Sequence, residues 1–287
     1  MVTANEWEKA PAAAGRRPTA AGRRFARGRR RFAAVVAALA VVVAGCAGGG
    51  GPPVERPTLT VSAAASLMEP LEEVRARYEA LHPGVTIRVN YGSSGGLQKQ
   101  IEMGLPADLF FAAARLHMDQ LVAQGFIDET LHATLLTNAL VVVVPVEAVA
   151  SPDSVAALAD PAWSRIAIGV PETAPVGAYA KEALERAGVW ERVRAKAAFG
   201  VDARKVLAAV ETGNADAGFV YATDARASGR VRVAFEVPAE QHAPIEYPIG
   251  VVATTSRPTE AEAFYSFLRS EEALAAFEAR GFGTVRP

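Results

Sequence analysis

Cysteine is almost missing from this chain: Cys46 stands alone among 287 residues, so no disulfide can form within it. The four histidines are scattered, and no H-E-x-x-H or EF-hand spacing occurs, which removes the common metal motifs. No G-x-x-x-x-G-K-[ST] is present, so an ATP site of that type is excluded as well. The apolar run Phe32 to Ala44 has thirteen residues, against about twenty for a membrane-crossing helix. An enzyme therefore has little support.

What is present begins with a basic leader. Nine Lys or Arg against two Glu precede that apolar run, a pairing expected of an export signal over residues 1–45. Val43-Ala44-Gly45-Cys46 resembles a bacterial lipobox, in which the cysteine becomes the lipidated first residue of the mature protein. Residues 46–57, with AGGGGPPVERP, then read as a Gly/Pro tether with nothing to pack. An extracytoplasmic, membrane-tethered location is the expectation. Once the leader is removed, 21 basic residues face 29 acidic ones, a net charge of -8. Nucleic acid is an unlikely partner for such a body, because its binding draws on Lys and Arg neutralising phosphates. A small anion stays open, since neutral dipoles can hold one.

From Thr58 onward, strand and helix signals alternate with short connections, the pattern of an α/β fold with mainly parallel sheets. Strands are expected over 59–64, 85–91, 108–112, 139–145, 165–170, 217–221, 231–237 and 246–254. Leu67, Leu71, Val74, Tyr78 and Leu81 recur as one buried helical stripe that Pro83 stops. Further helices are expected near 97–101, 116–124, 179–187, 203–212, 260–268 and 271–279. The apolar strands 139–145 and 246–254 bracket a middle block with its own strands and helices. Two lobes joined by two crossovers would produce this, with 58–137 and 247–287 in the first lobe and 138–246 in the second. A single doubly wound sheet would read similarly.

Several strand ends and helix starts carry small polar groups. Ser66, followed three residues later by Glu69, fits an S-x-x-E capping box; equally, its helix N-terminus can face an anion. Gly92, Ser94 and Gly96 fit the G-x-S-x-G pattern of a serine-hydrolase nucleophile elbow. That reading needs a later histidine, His117, His132 or His242, and the competing one is again a helix start holding an anion. Val176 lies where Pro175-Val176-Gly177 opens a helix, Ala203 follows Asp202 at another helix start, and Tyr221 ends a strand at the edge where open α/β sheets place ligands. Together these five loops can converge on one cleft.

The stretches VSAAASLMEPLEEV, YGSSGGLQKQIEMGLPADLFFAA, PETAPVGAYAKEALERAGVW and GFVYATDA resemble, in order, the periplasmic molybdate-binding proteins of ABC transporters, the ModA family. The resemblance implies a two-lobed type II periplasmic binding protein fold with the ligand cleft between the lobes, and an oxyanion held without charged side chains. It assigns a hydroxyl and a backbone N–H to each of Ser66 and Ser94, a backbone N–H to Val176 and to Ala203, and a phenol to Tyr221. It implies no cofactor, molybdenum entering only as molybdate, with tungstate as an equivalent ligand. It also implies a monomer that delivers its anion to a membrane permease. A binding protein for another tetrahedral oxyanion such as sulfate, and more distantly a serine hydrolase using Ser94, are the alternatives.

Overall fold

A computed structural model describes residues 57–286. The leader expected over 1–45, Cys46 and all but the last residue of the expected tether lie outside the described residues. The described residues belong to one compact unit, and their strands form two sheets.

The chain begins with β1 (Thr58–Ala64), which pairs in parallel with β2 (Thr86–Gly92) and β3 (Leu109–Phe111). Helices α1 (Met68–Leu81) and α2 (Ser94–Glu102) make the crossovers, and α3 (Arg115–Ala123) leads into β4 (Ile127–Thr137). The chain then passes into a second sheet through β5 (Leu140–Pro145) and β6 (Ile166–Gly169). Helices α4 (Pro175–Arg186) and α5 (Trp190–Arg194) follow, then β7 (Ala197–Gly200) and α6 (Ala203–Glu211). This block closes with β8 (Ala217–Tyr221), α7 (Ala222–Ala227) and β9 (Val231–Glu236). The return brings β10 (Glu246–Val252), α8 (Pro258–Leu268), α9 (Glu271–Ala279) and the short β11 (Gly283–Thr284) back to the first sheet. The sheet orders are β11-β4-β10-β3-β1-β2 and β7-β6-β8-β5-β9. The two passages between sheets run side by side, with Asn138 N donating to Ile245 O at 3.2 Å.

Period-two alternation explains why the central strands are apolar throughout. Along β5, Leu140, Val142 and Val144 join one core cluster while Val141 and Val143 join another. In β3, Leu109 and Phe111 face one cluster and Phe110 a second. Strands covered on both faces have no position left for a polar side chain.

The structure departs from the sequence expectation in several places, among them the short elements α5, β7 and β11, which were not expected. The sheets are mixed rather than mainly parallel: β10 runs antiparallel to β3 and β4, and β5 antiparallel to β8 and β9. Strands β5 and β10, which follow the two passages between sheets, enter them reversed relative to their βαβ neighbours. Strand β4 had no sequence expectation, because its first half, IDETL, is largely half-buried or exposed and shows no clean alternation. Leu81 is 59% exposed instead of closing the apolar stripe, since the helix ends there and its last side chain turns out to solvent.

Candidate functional site

Strand β1 ends at Ala64, and the chain turns through a 3-10 turn, Ala65–Leu67, before α1 begins. Ser66 thus lies inside this turn and not at a helix N-cap, and neither helical segment has a side-chain cap bond. The expected capping box with Glu69 does not form. The Ser66 hydroxyl instead lies 3.1 Å from the Tyr247 hydroxyl. Asn138 Nδ2, which can only donate, bonds Tyr247 Oη at 3.3 Å and Thr223 Oγ1 at 2.9 Å. Tyr247 thus accepts from Asn138 and shares a hydrogen bond with Ser66, which ties the Ser66 hydroxyl to the passage between the sheets.

At the end of β2 the duties of two neighbouring serines separate. Ser93 caps α2, its Oγ accepting from Gly96 N at 3.3 Å. Ser94 is the first residue of that helix and fully buried; its Oγ accepts from Ala113 N at 2.9 Å. A hydroxyl that already accepts a backbone N–H keeps its proton free to donate.

The five-stranded sheet contributes two more helix starts and a phenol. Val176 is the second residue of α4, with Pro175 in the first turn. A Cβ on Gly177 would run into the Gly169 carbonyl at the end of β6, so glycine is what lets α4 seat against that strand. Ala203 opens α6 behind Asp202, whose Oδ1 caps the helix by accepting from Lys205 N at 2.9 Å. Tyr221 closes β8 at 1% exposure, and among the described residues its hydroxyl has no hydrogen-bond partner within 3.5 Å. Burial pushes the phenol's pKa well above its ordinary value, so it remains a donor at any physiological pH.

Ser66, Ser94, Val176, Ala203 and Tyr221 all line one small cavity between the sheets. The space open to the centre of a water-sized body there is about 10 Å³, about the least that admits one such body. Asp202 is the one charged residue on the wall, and its Oδ1 is engaged in the cap. First-turn N–H groups at helix starts, with the positive ends of the helix dipoles behind them, form a donor-rich surface suited to an anion.

A hydrolase needs a base at Ser94, and two of the three candidate histidines are engaged elsewhere. His117 Nδ1 pairs with Gln98 Oε1 at 2.7 Å, burial lowering its pKa, and His242 Nδ1 pairs with the Ala243 carbonyl at 2.7 Å. His132 lies on β4. Among the described residues, no histidine hydrogen-bonds Ser94. Sequence reasoning found the wall residues from loop chemistry but missed Tyr247 and Asn138, which lie 181 and 72 positions from Ser66 and carry no motif.

Two contacts join elements of the two halves beside the cavity. Gly95 N donates to Thr173 O at 2.9 Å, joining the first turn of α2 to the loop before α4. Glu69 and Arg204 form an ion pair from α1 to α6.

Comparison with known proteins agrees with this architecture. The bacterial extracellular solute-binding protein family matches residues 59–283. YvgL of Bacillus subtilis, named as an ABC transporter substrate-binding lipoprotein, is 47% identical over 78% of this chain and 86% of its own. The molybdate-binding protein ModA of Escherichia coli is 38% identical over 78% of this chain and 88% of its own. The solved periplasmic molybdate-binding protein of Azotobacter vinelandii superposes with a TM-score of 0.70 at 26% identity, covering 80% of this chain and 99% of the other. These relatives are solute-binding proteins rather than enzymes, and the chain belongs with the ModA proteins to the bacterial extracellular solute-binding family.

Proposed function

We propose that this protein captures molybdate, or the equivalent tungstate, in the cavity between its sheets. Hinge closure over the anion then lets a membrane ABC permease take it from the closed form. The observation that carries the reading is the buried Tyr221 hydroxyl, a donor with no partner on the wall of a cavity otherwise lined by serine hydroxyls and helix N-termini. A fully deprotonated tetrahedral dianion accepts hydrogen bonds at every oxygen, so a wall of donors satisfies it. Phosphate keeps a proton at neutral pH, and that proton would need an acceptor in a wall of donors. Each hydrogen bond to a charged group contributes about 1.5–3 kcal/mol, so a few convergent donors suffice for tight binding in a desolvated space. Sulfate offers the same acceptors on a smaller body, and size is the basis of discrimination against it. The names of the ModA relatives and of YvgL support the anion and the transporter role.

Ser66 and Ser94 belong to one lobe, 58–137 with 247–287, and Val176, Ala203 and Tyr221 to the other, 138–246. Only the closed form satisfies all donors at once. A panel of molybdate, tungstate, sulfate and phosphate in thermal denaturation tests the reading. At a hundred times the dissociation constant, a bound ligand adds about 2.7 kcal/mol, or roughly 5–11 °C for a domain of this size. Molybdate and tungstate should shift the midpoint by this much, phosphate not at all. Equal shifts for all four, or none, would refute it. Cys46 is assigned the lipid anchor. Cys46→Ala should move the protein to the soluble fraction, and continued membrane retention would remove the assignment.

A further inference from the structure

Glu69 occupies the position that a capping box would use, yet its carboxylate leaves its own helix and meets Arg204. The Nη1–Oε1 distance is 2.5 Å between residues 135 positions apart. Glu69 lies on α1, which follows β1 of the six-stranded sheet. Arg204 lies on α6, which packs on the five-stranded sheet. Among the described residues the other ion pairs stay with one sheet: Arg280–Glu73 and Arg230–Glu211 do, and so does Arg115–Glu246, since Glu246 begins β10 of the six-stranded sheet.

The pair's place in the chain is specific. Glu69 comes three residues after Ser66, in the first turn of α1, and Arg204 directly after Ala203, so each partner follows closely on a wall residue. A cation in the first turn of a helix opposes the helix dipole, so Arg204 is unfavourable in its own helix until it meets a carboxylate. The side chains are 35% and 37% exposed, shielded enough for an attraction but outside the wall of the small cavity. Glu69 also borders a second cavity of about 170 Å³, together with Ser66, Thr223, Asp224, Arg226 and Arg280. Opening the two halves would pull Glu69 from Arg204 and expose both to water.

We propose that Glu69 and Arg204 form a latch across the cleft, a positioning pair that holds the closed form and slows anion release without touching the anion. The inference rests on the reading of the cavity as an oxyanion site. Because the two charges cancel and stand outside the cavity wall, the latch adds affinity for every anion that permits closure and leaves discrimination among anions alone.

Stopped-flow release of molybdate and sulfate from the full chain tests it, with Glu69→Ala, Arg204→Ala and the charge-exchanged double variant Glu69→Arg/Arg204→Glu. Each single variant should release molybdate about two- to fivefold faster, the range of a partly exposed ion pair. The molybdate-to-sulfate affinity ratio should stay at the wild-type value, and the difference should shrink in 1 M salt as screening sets in. The exchanged pair should recover release to within about twofold, a rescue that a loss of packing would not show. Single variants that release at the wild-type rate, a double variant no slower than the singles, or a changed molybdate-to-sulfate ratio would overturn the latch while leaving the oxyanion site standing. Wild-type protein that binds neither anion would overturn the site itself and the latch with it.

Discussion

The Tyr247 hydroxyl lies 3.1 Å from that of Ser66 and accepts from Asn138 Nδ2 at 3.3 Å, so one hydrogen-bond chain runs from the passage between the sheets to the cavity wall. Burial keeps the Tyr247 phenol protonated, its pKa well above the ordinary value. Tyr247→Phe takes the hydrogen-bond partner from Ser66 and the acceptor from Asn138. Molybdate affinity should fall about five- to tenfold, the equivalent of losing one oriented hydrogen bond, with a loss of about 1–2 kcal/mol in chemical denaturation. Unchanged affinity would detach Tyr247 from the site.

Tyr221→Phe should separate stability from binding. Its hydroxyl has no hydrogen-bond partner among the described residues, and in the open, anion-free form water can take that place, so stability without ligand should change by less than about 1 kcal/mol. With molybdate present the same hydroxyl is a donor, and affinity should drop at least tenfold. A larger fall in stability without ligand would indicate that the hydroxyl has a structural partner.

Ser94→Ala couples the two quantities in the same direction. The Ala113 N–H loses its buried acceptor, at about 1–3 kcal/mol, and the anion loses a donor. Ser66→Ala should weaken binding at least several-fold with the fold intact. Wild-type affinity in both variants would remove the serines from the site.

Gly95→Ala tests closure. A Cβ at Gly95 would lie 2.8 Å from Thr173 O and 3.1 Å from the His117 ring, so the first turn of α2 could not approach the loop before α4 as closely. In the open form Thr173 is withdrawn while the His117 ring, on α3 of the same lobe, has to give by a few tenths of an ångström, which alanine's advantage over glycine within a helix, up to about 1 kcal/mol, offsets. Slower or weaker molybdate binding at undiminished anion-free stability is the expected result; a wild-type titration would mean that closure does not bring Gly95 against Thr173.

Asp224 supplies a pH signature. Burial pushes its carboxyl up to about 7, against the pull of Arg204, and its Oδ2 lacks a partner. The unfolded chain releases this proton near pH 4, while the folded one keeps it to about pH 7. Between those values the folded state binds more protons, so this group's contribution to stability falls as pH rises and levels off above 7. Asp224→Asn should remove that slope. The difference in unfolding free energy between variant and wild type should therefore grow from pH 4 to 7 in favour of the variant, by at most about 4 kcal/mol. A flat difference would show that Asp224 ionises normally.

The sequence made local features legible and left long-range ones hidden. Ser94 and Tyr221 end or follow apolar strands, and Ala203 follows a capping aspartate, so their positions could be read from strand, turn and helix-start chemistry. Glu69 was misread because S-x-x-E is a local pattern, and the winding of residues 65–67 as a 3-10 turn frees both side chains for partners far along the chain. Tyr247 and Asn138 sit inside or beside apolar strands that signal only burial. Strand β4 stayed hidden because antiparallel pairing with β10 and β11, not an apolar alternation of its own, makes it a strand.

Isothermal titration of the purified protein with molybdate, with sulfate as the comparison, tests the central claim most directly. A one-to-one isotherm for molybdate, at least about tenfold tighter than for sulfate, is the predicted result. No heat with either anion, or equal affinity for both, would contradict an oxyanion site tuned to molybdate.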